Sequence, residues 1–209
     1  FTVNGFNVLQ ILDHEYSQPF DQNRRGLNLG EGAGFIVLES EFTAKKENIL
    51  AELVGYSNSN DAYHQTASSP DGTGAYLAMK GAIASAEINP ADIDYVNVHG
   101  TGTHNNDLSE GIAMQRIFGA NIPKFSSTKA FTGHTLGASG GIEAVFSVLA
   151  LQKGIIYPNL RFKTPIEDLG GKMIPETQLL ESQDLNYILS NSFGFGGNSS
   201  SLVFAKNKA

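Results

Sequence analysis

The densest chemistry in the sequence lies in residues 125–143, FSSTKAFTGHTLGASGGIE, where Lys129, His134 and Glu143 share one glycine-rich stretch. Ser126, Ser127 and Thr128 follow a short apolar entry and read as the end of a strand. Ile142, Ala144, Val145, Val148, Leu149 and Leu151 then recur at mostly helical spacing. That predicts a buried helix from about residue 133 to about 153, with His134 in its first turn. Unpaired N–H groups and a partial positive charge mark such a helix start. A histidine there, shortly after Lys129, is expected to have its protonated form disfavoured. A neutral imidazole donates a hydrogen bond and suits a developing oxyanion. The same residues also fit a tightly packed core helix whose histidine caps its own turn, and Lys129 with Glu143 also fits a purely structural salt bridge.

Two further motifs carry similar residues. HGTGTHNND, residues 99–107, sets His99 at the end of an apolar run, with the hydroxyls of Thr101 and Thr103 beside it. Asp107 is placed to cap the helix that follows. As a metal site this motif is weak, because His99 and His104 lack the helical spacing of a zinc protease and no third ligand stands out. Its plainer reading is a strand-end histidine bonded to backbone. NSFGFGGNSS, residues 191–200, sets Phe195 among Gly194, Gly196 and Gly197, which predicts a mobile backbone with exposed N–H groups and a bulky gate. A bare hairpin turn is its plainer reading, and a dinucleotide fingerprint is excluded because no helix follows. Two histidines and a glycine-rich donor loop at strand ends are what an oxyanion-stabilising site requires, and the residues by themselves carry the reading no further.

The elements that must hold these motifs alternate regularly. Residues 6–12 read as a short helix, 17–25 as a polar loop, and 26–34 (GLNLGEGAG) as a glycine-rich lead into a buried strand at 35–38. That loop is no phosphate cradle, since it lacks Gly-Lys-Ser/Thr and feeds a strand. A charged helix is expected at 41–48, strands at 49–56, 95–98, 124–127, 187–192 and 200–205, and helices at 74–87, 107–118 and 133 to about 153. A polar loop at 57–73 holds Asp61 and His64, and residues 157–172 are irregular. The pattern from residue 49 onward is βαβαβαββ, an α/β layered domain with a largely parallel sheet and an antiparallel edge from the last two strands. Ligand sites in such sheets gather at strand carboxyl ends, where His99, Lys129 and the 193–197 loop all fall.

Composition narrows the function. The chain has 209 residues, 41% hydrophobic and 17% charged, with a net charge of −7. These values fit a globular domain with a real core and speak against a nucleic-acid partner. There is no cysteine, so this chain supplies no disulfide, no cysteine metal site and no cysteine nucleophile. No signal peptide or run of membrane-spanning length is visible, which predicts a cytoplasmic protein without membrane insertion. The chain opens on Phe1, already apolar and without methionine, as expected of a fragment or processed chain.

Taken in order, VNVHGTGT, SSTKAFTGHTLGASGGIE and NSFGFGGN resemble the three downstream motifs of the β-ketoacyl-acyl-carrier-protein synthases, in particular the elongating type of fatty-acid and polyketide synthesis. GLNLGEGAGFIVLE and AELVGYSNSNDAYH extend the resemblance over nearly the whole chain. It implies a thiolase-like fold of two similar halves, with residues 1–48 the end of the N-terminal half and 49–209 the C-terminal βαβαβαββ half around a mixed five-stranded sheet. It also implies a nucleophilic cysteine upstream of Phe1, in residues this chain does not contain.

The implied reaction is decarboxylative Claisen condensation of malonyl carrier protein with an acyl-enzyme thioester. His99 and His134 match the pair that bind the malonyl carbonyl and stabilise the enolate. Lys129 and Glu143 match a charged pair that organises them, with Asp107 and Glu110 as acidic support. Thr101 and Thr103 match hydroxyls that bond the pantetheine arm. Phe195 matches the gate and backbone oxyanion donor, with Gly196 and Gly197 beside it as substrate-binding backbone. No metal and no cofactor is implied beyond the phosphopantetheine arm of the acyl carrier protein. A homodimer, or a heterodimer with a related synthase subunit, is implied for the complete protein.

The negative charge fits poorly with an acidic carrier protein, for which Arg24 and Arg25 offer a minor basic patch. Two alternatives remain. One is a non-catalytic partner like the chain-length factors, which commonly lose catalytic residues that this chain retains. The other is a coenzyme-A-dependent thiolase, to which HGTGT and GHTLGASGG fit less well.

Overall fold

The computed structural model describes residues 1–207. After a short helix α1 (Thr2–Val8), strand β1 (Ala51–Asn60) leads to helix α2 (Thr73–Ser85), and β2 (Tyr95–Asn97) leads to α3 (His104–Phe118). Strand β3 (Lys124–Ser126) runs into two helical pieces, α4 (Lys129–Thr132) and α5 (Ser139–Lys153), and β4 (Tyr187–Phe193) and β5 (Asn198–Lys206) follow. The strands form one mixed five-stranded sheet in the order β1-β5-β4-β2-β3. β2 is parallel to β3 and to β4, while β5 is antiparallel to both β4 and β1. Strands β1 to β4 therefore share one direction, and their carboxyl ends meet along one edge.

Helices cover both faces because consecutive strand residues point opposite ways. Tyr95, Ile188 and Phe204 pack with Ala144 and Leu151 of α5. Their sequence neighbours Val96, Leu189 and Val203 pack instead with Met79 and Ile83 of α2 and Met114 of α3. Each such side chain contributes about 1.5–3 kcal/mol on burial, against about 0–1 kcal/mol for an exposed pair such as Lys206–Asp184. Three-layer packing, not surface charge, holds the domain.

Several elements differ from the sequence reading. The last two strands do pair, but β5 lies inside the sheet and β1 forms the antiparallel edge, matching Ala51 with Lys206. A hairpin turn dictates only the β4–β5 neighbourhood; the other side of β5 is filled from far away in sequence. No strand forms at 35–38: Phe35, Val37 and Leu38 are exposed, and no strand among the described residues offers them a ladder. The helix expected at 6–12 begins at Thr2 and stops at Val8, with Gln10 turned into the left-handed region at φ 55°. The charged 41–48 segment is a turn followed by a single 3₁₀ turn, Lys46–Asn48. Helix α3 starts earlier than expected because Thr103, rather than Asp107, caps it, accepting from the Asn106 N–H at 3.4 Å.

Candidate functional site

The loops that leave β2, β3 and β4 converge at the shared strand edge, and each brings one of the three motifs. His99 follows β2, and its position is set from helix α3. The fully buried Glu110 carboxylate accepts from the His99 N–H and the Gly100 N–H, both at 2.9 Å, and from Asn191 Nδ2 of β4 at 3.0 Å. Burial pushes Glu110 up to about 7, opposed by the donors from Gly100, Asn191 and His99. One carboxylate thus joins the loop after β2 to the strand beside it. The loop after β3 is tied in as well, with Ser127 Oγ donating to the Gly100 carbonyl at 2.6 Å.

Lys129, the first residue of α4, is buried beneath His99. Its ammonium donates to the His99 carbonyl at 2.6 Å, to His99 Nδ1 at 3.2 Å, and to Glu143 Oε1. Three N–H bonds meet three acceptors. Because Nδ1 accepts, the His99 proton resides on Nε2. Burial, then the Lys129 charge, then His134, lower the His99 pKa well below its ordinary range. The Lys129–Glu143 pair is a buried ion pair, both residues 3% exposed. Glu143 is raised by burial and pulled back by Lys129, and its Oε2 has no partner among the described residues. The Lys129–Glu143 pair therefore bonds directly to His99, and it reaches His134 only through the Lys129 charge.

His134 is not in the first turn of a long helix. The helix breaks at Gly133, whose φ of +68° ends α4, and resumes at Ser139 after a 3₁₀ turn, Leu136–Ala138. The break exists because residues 28–30 lie against it: the His134 N–H donates to the Asn28 carbonyl at 2.7 Å, and Gly30 N–H donates to the His134 carbonyl at 3.1 Å. A Cβ on Gly30 would stand 2.0 Å from the Thr132 carbonyl oxygen, so only glycine permits the approach. His134 Nδ1 receives the Leu136 N–H at 3.3 Å and lies 2.9 Å from Ser139 Oγ, which puts its proton on Nε2 too. Burial first, and the Lys129 charge second, lower His134 to about 3. The expected neutrality holds, but desolvation rather than a helix start produces it. The two imidazoles meet edge to face, with centroids 5.2 Å apart.

Both histidines line a cavity of about 510 Å³, together with Thr101, Thr103, Leu136 and Phe195. Thr101 Oγ1 and Thr103 Oγ1 are 2.9 Å apart. Phe195 is 45% exposed and stacks on Phe6 of α1 with centroids 5.8 Å apart. Its turn is strapped down rather than loose. Gly196 N–H donates to the Gln65 carbonyl, and Asn60 Nδ2 donates to the Gly196 carbonyl, both at 2.8 Å. The Asp61 N–H donates to the Gly197 carbonyl at 3.1 Å.

Asp107 is buried and accepts from the Phe20 and Gly102 N–H groups, at 2.7 and 3.2 Å, which leaves it no capping role. Arg24 is buried beside it, donating to the carbonyls of Asp21, Thr103 and His104, so it is no part of a surface patch. Arg25 pairs with Asp13 and Glu15. The sequence points to neither Ser139 nor Asn191, and it places Arg24 in a basic patch rather than in the core. Ser139 and Asn191 sat inside the quoted motifs, where their small polar side chains were indistinguishable from turn residues. Among the described residues, no group of three His, Asp or Glu side chains is arranged to hold a metal, and no helix is long and apolar enough to cross a membrane.

The family described as beta-ketoacyl synthase, C-terminal domain, matches residues 50–163. The chain is 45% identical, over 218 residues, to a 3-oxoacyl-[acyl-carrier-protein] synthase 2 of Staphylococcus aureus (strain COL), an alignment covering 99% of this chain and 52% of that protein. The ishigamide ketosynthase/chain length factor superposes with a TM-score of 0.91 at 32% identity, covering 98% of this chain and 50% of that one. A type II polyketide ketosynthase, solved in complex with its acyl-carrier protein and bound to the hexaketide, gives a TM-score of 0.90 at 32% identity, over 98% of this chain and 52% of that one. The chain spans about half the length of each of these relatives. The mixed five-stranded α/β half is thus of the thiolase-like kind expected from the motifs.

Proposed function

Because the chain belongs to the beta-ketoacyl synthase family and carries its C-terminal domain, we propose that the complete protein condenses malonyl and acyl groups carried as thioesters into a 3-oxoacyl thioester. Residues 1–48 are read as the end of the N-terminal half and 49–209 as the C-terminal half. The observation that carries this reading is the pair of buried neutral imidazoles, each held through Nδ1 so that Nε2–H is left for a ligand in the cavity.

In this reading a cysteine in residues upstream of Phe1 receives the acyl group from acyl carrier protein. The oxyanion formed at that thioester is held partly by the Phe195 N–H, with Gly196 and Gly197 shaping the turn and the Phe195 ring gating the acyl pocket. The malonyl arm then enters along Thr101 and Thr103, whose hydroxyls bond the pantetheine amides. His99 and His134 donate to the malonyl thioester carbonyl. As the carboxylate leaves as carbon dioxide, the electrons of the broken C–C bond pass into the enolate, whose oxygen these donors stabilise. The enolate carbon attacks the acyl thioester, the new C–C bond forms, and the thiolate leaves. Lys129, itself paired with Glu143, positions His99, and burial together with the Lys129 charge keeps both imidazoles neutral, with Glu110 and Asp107 fixing the loop that carries His99, Thr101 and Thr103. No metal or nucleotide takes part, and the phosphopantetheine arm arrives with its carrier. The proposed partners are acyl carrier protein and a second synthase subunit, identical or related, in the cytoplasm.

The test is His134→Ala in the complete protein. Decarboxylation of malonyl carrier protein should fall about 10²–10³-fold, the usual cost of one oxyanion donor, while acyl transfer to the cysteine stays detectable. Equal loss of both steps would overturn the role given to His134. A wild-type protein that neither loads acyl groups nor decarboxylates would instead be a non-catalytic partner of the chain-length-factor kind.

A further inference from the structure

Ser139 opens α5 with its side chain buried, 4% exposed, and its hydroxyl 2.9 Å from His134 Nδ1. The same nitrogen receives the Leu136 N–H at 3.3 Å. A ring nitrogen that accepts a backbone N–H carries no proton, so Ser139 is the donor in its own bond. With its one hydrogen used, Ser139 Oγ is left to accept from Thr135 Oγ1 at 3.2 Å. The chain of donors runs from Thr135 to Ser139 to His134. We propose that Ser139, with Thr135 behind it, is a positioning residue that holds His134 in the tautomer with the proton on Nε2, and so sets its readiness to donate to a substrate oxygen.

Of the remaining neighbours, only the Leu136 N–H shares this task. Lys129 uses its three N–H bonds on the His99 carbonyl, His99 Nδ1 and Glu143. The His99 ring meets His134 edge to face at 5.2 Å and is not bonded to Nδ1. The Leu136 N–H bond, at 3.3 Å, lies beyond the ordinary range of about 2.7–3.2 Å, and Leu136 holds a left-handed φ of 55°, uncommon for its side chain. The Ser139 bond is the shorter and the less strained of the two. Losing one such bond typically shifts an equilibrium about three- to tenfold.

The kinetic part of this inference rests on the reading under Proposed function; the tautomer does not. The experiment therefore records both, on the complete protein with ¹⁵N-labelled histidine. In Ser139→Ala the His134 Nδ1 resonance should move toward the protonated position, with malonyl carrier protein decarboxylation down about three- to tenfold. Ser139→Thr, which keeps the hydroxyl, should restore both. An unmoved His134 resonance in folded Ser139→Ala overturns the proposal, whatever the rate does. Should that variant fail to fold, Thr135→Val replaces it, with a smaller shift of the same sign expected and no shift overturning the idea. If the wild type does not decarboxylate malonyl carrier protein, the functional reading fails while the resonances still decide the role of Ser139.

Discussion

Lys129 is buried with each of its three N–H bonds assigned, which fixes its place beneath His99. Its charge lowers both histidines, after the larger effect of burial. Neutral donors suit the proposed chemistry: an imidazolium would bind the malonyl carboxylate tightly in the ground state, whereas the carboxylate has to leave. Only interactions that strengthen as the enolate forms accelerate that step. The cost of the arrangement is structural. Lys129→Met leaves the Glu143 carboxyl unpaired in the core, where it must either stay charged or take up a proton, and should destabilise the complete protein by about 3–5 kcal/mol in urea unfolding. Adding Glu143→Leu should recover much of that loss, since an apolar pair of similar volume is nearly neutral. A double variant less stable than Lys129→Met would show that the pair is not the source of the cost.

Among the elements, the segment around residue 30 does more than the sequence reading allowed. It was read as a glycine-rich lead into a strand. In the structure its backbone instead pins the Gly133 break and thereby sets where His134 points. Gly30→Ala would press a methyl group against the Thr132 carbonyl, so we expect a loss of about 1–3 kcal/mol in thermal unfolding. Gly137→Ala in the same turn meets nothing within 4 Å and should leave the melting curve nearly unchanged. Comparable losses in both would mean that crowding at residue 30 is not what matters.

This is also where legibility ended. The α/β alternation, the strand-end placement of His99 and Lys129, and the paired last strands could be read because period-2 and helical spacing report which side chains face a core. The break at Gly133 could not. A run of Gly, Leu, Ala and Ser continues a helical pattern equally well, and what interrupts it is a backbone more than a hundred residues away in sequence. Asp107 misled for a related reason, since its type and position suit a cap, but its donors come from Phe20 and Gly102. The 35–38 run looked like a buried strand because composition records apolar character, not the presence of a neighbour to pair with.

At the scale of the whole molecule, the chain carries half of the proposed chemistry. It has the two imidazoles proposed as enolate donors but no thiol. Incubated alone with acyl and malonyl carrier protein, the 209-residue chain should form no covalent acyl adduct and no 3-oxoacyl product by mass spectrometry. Either species would show that a cysteine is not the group that receives the acyl chain. The sheet has a consequence of a different kind. β5 sits between β1 and β4, so the first and the last strand of this sheet in chain order are neighbours, with Ala51 beside Lys206. Without β5, β1 with α2 and β4 with β2 and β3 are two separate groups, each with an open edge. Residues 198–206 are the single piece that joins them, so loss of that one strand would open the sheet on both sides at once.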